Sequence, residues 1–289
     1  MSSQSSKIPA TIITGFLGAG KTSMIQHLMA NANGKKLALI INEFGDMGVD
    51  GEVIKGCGIP DCDESQLVEL ANGCICCTVA DDFVPAIETL LSQDPKPDHI
   101  IIETSGLALP KPLVQAFNWP EVRTRVTVDG VVAVIDGRAV ADGLFATDPA
   151  ALQAAREADE SLDHESPLEE LFEEQLGCAD MIILNKMDLV EDGSLDHINS
   201  EVAKHSRPGV KSIQATNGVI DPLILLGIEA AAEDDLESRH SHHDDGHEHD
   251  HDDFESFQVE LGPLEDPSSL DAKIAEVNKA HDVLRVKGF

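Results

Sequence analysis

The chain has 289 residues, enough to bury one large domain and a smaller one. Its 20 lysines and arginines face 53 aspartates and glutamates, for a formal charge of -33, and no local basic patch offsets that charge. A surface of this sign excludes wrapping a polyphosphate backbone, so no nucleic-acid partner is expected. No apolar run approaches the ~20 residues of a membrane helix, and the opening MSSQSSK lacks a signal-peptide core. A cytoplasmic chain without a membrane partner is the expectation. That compartment keeps thiols reduced, so five cysteines gathered between Cys57 and Cys77, with Cys178 apart, point to metal or catalysis before disulfides.

In chain order, Ile8 to Thr14 is a short, β-branched apolar run that reads as a buried strand. Gly15 to Thr22 follows as GFLGAGKT, the phosphate-loop pattern, and Met24, Ile25, Leu28 and Met29 then fall on one helical face. The glycines let the loop turn tightly and aim its N–H groups inward, where the helix's positive end also favours anions. Gly15, Gly18, Ala19, Gly20, Lys21, Thr22 and Ser23 form the candidate phosphate-binding set. Lys21 is expected to reach the β- and γ-phosphates, and the Thr22 hydroxyl to hold Mg²⁺.

Lys36 to Asn42 predicts a second strand, and NEFGD (Asn42 to Asp46) then opens a glycine-rich loop to Gly51. Such a loop is ordered by Mg²⁺ and the γ-phosphate and released on hydrolysis, with Glu43 and Asp46 as candidate Mg²⁺-side residues; an ordinary acidic surface loop is the alternative. After a short strand at Val68 to Leu70 come Cys74, Ile75, Cys76 and Cys77. Thiolates are soft ligands suited to Zn(II), Co(II) or Cu(I) and poorly to Mg²⁺. Three readings stay open: three ligands with an exchangeable position, a closed four-cysteine zinc site that also uses Cys57 and Cys62, or inert buried thiols. Thr78 to Asp81 reads as a capping box, which starts a helix directly after Cys77; its apolar set runs from Val79 to Leu91.

His99 to Thr104 predicts a strand ending on Glu103, the candidate acid near Mg²⁺, with the Gly106 N–H placed for the γ-phosphate. Lys21 and Glu103 are the candidate catalytic pair. No glutamine stands out to orient the attacking water, so intrinsic turnover is expected on the order of 10⁻⁴ to 10⁻² s⁻¹. Gly130 to Ile135, Met181 to Asn185 and Val210 to Gln214 predict further strands, and Ala151 to Leu176 an acidic helical insertion broken near Ser166-Pro167. Asn185, Lys186 and Asp188 (NKMD) follow an apolar strand roughly 160 residues after the phosphate loop. A carboxylate there accepts from guanine N1–H and its amino group, whereas adenine offers no donor on that edge. Asn185 is expected to brace the loops, the Lys186 stem to lie along the base, and Ala215 or Thr216 to donate a backbone N–H to O6. The nucleotide is therefore GTP.

Short apolar runs separated by helices predict an α/β fold: a P-loop NTPase with a mainly parallel sheet covered by helices on both faces. Residues 1–232 form this domain, with the CxCC motif inside it. Residues 233–253 are acid- and histidine-rich and read as a disordered linker whose His240, His242, His243, His247, His249 and His251 gather divalent ions loosely. Residues 254–289 read as strand, helix and strand of a small α+β C-terminal unit.

GFLGAGKT, NEFGD, ELANGCICCTV, ETSGLALPKPL and NKMD, in this order, resemble the CobW branch of metal-handling GTPases, itself similar to nickel-insertion accessory GTPases. The resemblance spans nearly the whole chain. It implies that Cys74, Cys76 and Cys77 bind a metal, that Co(II) is the cargo, and that the client is a cobaltochelatase of cobalamin synthesis. The C-terminal domain of that branch continues well past LRVKGF, so a chain ending at Phe289 is expected to leave that unit truncated, with a sheet edge exposed. The mechanism expected is a metal site ordered with MgGTP and relaxed on hydrolysis. Its alternatives are the same machine carrying zinc, a non-catalytic histidine-rich metal buffer, and a regulatory GTPase with a structural zinc.

Overall fold

The computed structural model describes residues 7–42, 67–70, 75–158, 168–191 and 193–239. All of them belong to the first of two units, Met1–Asp245; the second, Gly246–Phe289, lies outside the described residues. Glu43, Asp46, Cys57, Cys62, Cys74, the break at Ser166-Pro167, the histidine tract and the elements expected in 254–289 lie outside them too.

The elements run β1 (Ile8–Thr14), α1 (Lys21–Ala30), β2 (Leu37–Asn42), β3 (Leu67–Leu70), α2 (Ile75–Leu91), β4 (His99–Glu103), α3 (Pro110–Ala116) and β5 (Val126–Asp136). They continue α4 (Gly137–Ala141), α5 (Pro149–Ala158), α6 (Leu168–Cys178), β6 (Met181–Asn185), α7 (Leu195–His205), β7 (Lys211–Gln214) and α8 (Pro222–Leu225). Among the described residues the strands form one 7-stranded sheet in the order β3-β2-β4-β1-β5-β6-β7, with every pairing parallel.

Continuous apolar strands make this sheet because both of its faces are covered. On one face, Ile12, Ile40 and Ile102 pack under Phe83, Ile87 and Leu90 of α2 and Leu113 and Val114 of α3. The same face continues through Ala133, Ile135, Ile182 and Leu184 to Phe172 and Leu176 of α6 and Ile198 and Val202 of α7. On the other, Ile13, Leu39, Ile101, Val134 and Ile183 meet Met24, Ile25 and Leu28 of α1 and Leu225 of α8. No described helix is long and apolar enough to cross a membrane.

Three stretches depart from the sequence reading. Strand β5 begins at Val126 rather than Gly130, because its register slips at Ala10/Thr11 and admits Asp129, whose carboxylate accepts from the Ile228 and Glu229 N–H groups at 3.1 and 3.0 Å. Helix α2 begins at Ile75, so Cys76 and Cys77 lie within its first turn and Thr78 is inside the helix rather than ahead of it; a Thr-x-x-Asp pattern is as compatible with a helix interior as with its start. The segment 233–239, read as the head of the linker, packs on the domain. Glu233 is buried and accepts from the Thr127 hydroxyl at 2.5 Å and the Val128 N–H at 2.8 Å. Buried Arg239 donates to the Cys178 carbonyl and, at 2.7 Å, to Asp180, which Arg207 also engages at 2.6 Å.

The first residue of β4 makes stability pH-dependent. His99 is 1% exposed, and its Nε2 lies 2.7 Å from the Thr11 hydroxyl, which donates to the Leu225 carbonyl at 3.2 Å. Burial pushes the imidazole down to about 4, with Asp129 pulling weakly upward and Lys35 downward. The unfolded chain takes up this proton near 6.5 and the folded chain does so only near 4. Stability is therefore lost as pH falls through that window, by about 3 kcal/mol in all. Urea midpoints measured from pH 7 to 4 are expected to fall more steeply in the wild-type chain than in His99→Gln, which keeps a donor for Thr11. Parallel curves for the two would show that His99 does not set this slope.

Candidate functional site

The loop from β1 to α1 is shaped by glycine. Gly15, Gly18 and Gly20 have φ of 135°, 78° and 102°, a region other residues rarely adopt. A Cβ on Gly15 would lie 2.1 Å from the Val134 carbonyl oxygen, and one on Gly20 2.2 Å from Asn185 Nδ2. The loop thus has backbone on one flank and the NKMD asparagine on the other. Asn185 donates from Nδ2 to the Ala19 carbonyl at 2.9 Å and accepts at Oδ1 from the Gly218 N–H at 3.0 Å. It joins the phosphate loop, the end of β6 and the turn after β7, which is the bracing expected of it.

Lys21 opens α1, with its buried ammonium donating to the Gly15 carbonyl at 2.7 Å, so it already sits inside the loop's curve. Thr22 donates its hydroxyl to Glu103 Oε1 at 3.2 Å, while Ser23 faces solvent. These Thr22 and Glu103 oxygens converge from α1 and the carboxyl end of β4. They are hard donors of the kind Mg²⁺ takes, and they fit that ion and not a soft one. Gly106 lies against the loop as well, since a Cβ there would fall 2.6 Å from the Leu17 nitrogen. The side chain of Gln175, on α6, donates to the Gly106 and Ala108 carbonyls at 3.2 and 3.3 Å and pins this segment; nothing in its sequence context marked it.

At the far side, Lys186 takes a left-handed φ of 57°, followed by a 3₁₀ turn, Met187–Leu189, that carries Asp188 exposed at the surface. Lys186 Nζ reaches Asp136 Oδ2 at 2.6 Å. Asp136 closes β5 and is 2% exposed; its Oδ1 accepts from the Arg138 and Ala139 N–H groups, both at 3.1 Å, and its Oδ2 from the Thr147 hydroxyl. Burial alone would raise this carboxyl, but bonds from Lys186, Thr147 and Ala139 outweigh it and hold it below the usual carboxylate range. The sequence reading ended this strand at Ile135 and gave Asp136 no role.

Ala215 spends its N–H on the Leu184 carbonyl at 2.8 Å, so it is not free for a base carbonyl, and Thr216 pairs with Val219 in an isolated antiparallel bridge. Cys178 is buried, and burial pushes its thiol up to about 11 against the pull of Arg239, as suits a core residue. No group of three or more histidine, cysteine, aspartate or glutamate side chains that could hold a metal ion occurs among the described residues; the side chains of Cys76 and Cys77 are outside that description.

Because all strands are parallel, their carboxyl ends share one edge. Across it the chain sets, in order, the ends of β3 and of β2 at Asn42, Glu103 after β4, the phosphate loop after β1, Asp136 after β5 and NKMD after β6.

Known proteins resemble this chain in sequence and in fold. The family description "CobW/HypB/UreG, nucleotide-binding domain" matches residues 9–214. A protein of Sinorhizobium sp named zinc chaperone CobW is 56% identical over 287 residues, covering 98% of this chain and 81% of its own length. One of the same name from Pseudomonas aeruginosa is 49% identical over 291 residues, covering 98% and 76%. A crystal structure of a Zn(II)-bound triple mutant of the YjiA GTPase has the same fold, with a TM-score of 0.51 at 24% identity, over 78% of this chain and 62% of that one. The chain belongs to the CobW/HypB/UreG family of P-loop GTPases.

Proposed function

We propose that this protein is a GTP-dependent zinc metallochaperone, which loads its CxCC cysteines in the GTP-bound state and yields the ion to a client after hydrolysis. The observation that carries this reading is the order of sites along the carboxyl edge. Neighbouring strands lie ~4.8 Å apart, so the end of β3 stands roughly 14 Å from the phosphate loop, with only the two switch strands between. Coupling has to pass through the loops after β2 and β4, the segments that a γ-phosphate orders.

Lys21 and the loop N–H groups hold the phosphates, and the Gly106 N–H senses the γ-phosphate. Asp188 reads the guanine edge. Thr22 and Glu103 would hold Mg²⁺, which when bound neutralises charge on the β- and γ-oxygens. Lys21, Thr22 and Glu103 lower the barrier by fixed placement rather than by covalent chemistry. The Gly106 segment, pinned by Gln175 from behind, relaxes when the γ-phosphate leaves.

The sequence resemblance implied cobalt, and two considerations favour zinc. Soft thiolates select zinc among the available divalent ions. Two relatives that cover nearly the whole chain are both named zinc chaperones. The client is then a zinc-requiring protein; cobalt delivery to a cobaltochelatase is the alternative. A competition titration against a chromophoric chelator, with Mg²⁺ and either a non-hydrolysable GTP analogue or GDP, decides the mechanism. One equivalent of Zn(II) is expected to bind at least tenfold tighter with the analogue, and to be lost in Cys76→Ser and Cys77→Ser. Equal affinity in both nucleotide states would mean a structural or buffered ion. Zn(II) is also expected to displace Co(II) from the thiolate charge-transfer band; failure to do so would restore cobalt.

A further inference from the structure

The geometry points to Asp136 as a positioning residue of the guanine slot, holding the Lys186 side chain extended along the face of the base before nucleotide arrives. This rests on the guanine-nucleotide reading above and adds a residue that no motif of that reading contains.

The argument begins with the backbone. Lys186 occupies the left-handed region at φ 57°, ψ 31°, which a side chain with a Cβ enters only when its surroundings fix it there. Asn185 before it is fixed by Ala19 and Gly218. The Lys186 side chain is fixed at its tip, where the ammonium meets a carboxylate 2% exposed at 2.6 Å. That carboxylate is itself immobile, since its other contacts are two backbone N–H groups of α4 and the Thr147 hydroxyl. A lysine tied at both ends presents its methylene stem as a fixed wall between braced Asn185 and exposed Asp188. Ordering a free lysine on binding costs affinity, and a lysine ordered in advance avoids that cost.

A stem packed on a ring plane does not distinguish guanine from hypoxanthine, whereas Asp188 does, because hypoxanthine lacks the exocyclic amino group. Asp136→Asn keeps an oxygen for the Arg138 and Ala139 N–H groups while removing the charge that Lys186 needs. It is expected to weaken GDP and IDP binding by the same factor, about three- to tenfold, and to add nothing in a Lys186→Ala background. Asp188→Asn is expected to weaken GDP far more than IDP. Lys186→Arg, which keeps the charge, and Lys186→Met, which keeps only a stem, test the same contact without touching Asp136. Arginine is expected to bind GDP like wild type and methionine like Asp136→Asn.

Equal affinities for the Arg and Met variants overturn the inference, as do multiplying effects of Asp136→Asn and Lys186→Ala, or a loss confined to kcat. A wild-type chain that binds no GDP overturns the guanine reading together with this inference. Wild-type binding with an indifferent Asp136→Asn overturns this inference alone.

Discussion

Gly15→Ala is expected to destabilise the domain by roughly 3 kcal/mol or more, a fall in Tm of about 10 °C for a domain of this size, and to abolish nucleotide binding. The added methyl would lie 2.1 Å from the Val134 carbonyl oxygen and 3.0 Å from its carbon. Both belong to the backbone of β5, buried at the centre of the sheet and paired with β1 through Val132 and Ala133. Relief requires prying β1 from β5. The φ of 135° adds strain that no rotamer relieves. Gly18 supplies the control: its φ is 78°, but a Cβ there meets nothing within 4 Å, so Gly18→Ala is expected to cost only about 1 kcal/mol. Gly20 differs again, because its added methyl strikes the Asn185 side chain, which can swing away at the expense of the Ala19 contact. Gly20→Ala is therefore expected to lose GDP affinity more than stability. Thermal melts and GDP titrations on the three variants separate these cases, and equal Tm shifts for Gly15→Ala and Gly18→Ala would refute the steric account.

The parts of the molecule legible in its sequence are those whose cause is local. The strands announce themselves as runs of β-branched residues because both faces of a parallel sheet are buried. GFLGAGKT announces the phosphate loop because only glycine tolerates φ of 135° and 102° at its ends. Asp136, Gln175 and Glu233 were illegible because their partners are set by the fold. Asp136 meets Lys186 across 50 positions, Gln175 meets Gly106 across 69, and Glu233 meets Val128 across 105. Glu233 shows the mechanism of the miss plainly. Its neighbourhood is acidic, so composition assigned it to solvent, yet a hydroxyl and a backbone N–H on β5 were waiting for one carboxylate. The start of α2 was misplaced for a related reason: a capping pattern is a local signal, and nothing local says whether the chain before Thr78 is already helical.

Glu103→Gln and Thr22→Ala are expected to lower kcat for GTP by a hundredfold or more, corresponding to about 3 kcal/mol of lost transition-state stabilisation. The two oxygens stand 3.2 Å apart, on elements joined to neighbouring strands of the same sheet, β1 and β4. Both are hard donors held side by side by the sheet, as a hard cation requires. The glutamine variant keeps the shape of Glu103 and an oxygen for the Thr22 hydroxyl, but not the charge that a divalent ion demands. Threonine-to-serine at 22 keeps the hydroxyl and is expected to keep most of the activity. Affinity for GDP measured without Mg²⁺ should be nearly unchanged in Glu103→Gln, since Lys21 and the loop N–H groups still hold the phosphates. The Mg²⁺ concentration needed for half-maximal turnover should rise by at least tenfold. A Glu103→Gln variant whose Mg²⁺ dependence and kcat both stay within threefold of wild type would remove Glu103 from the site. It would move the search for the acid to the loop after β2.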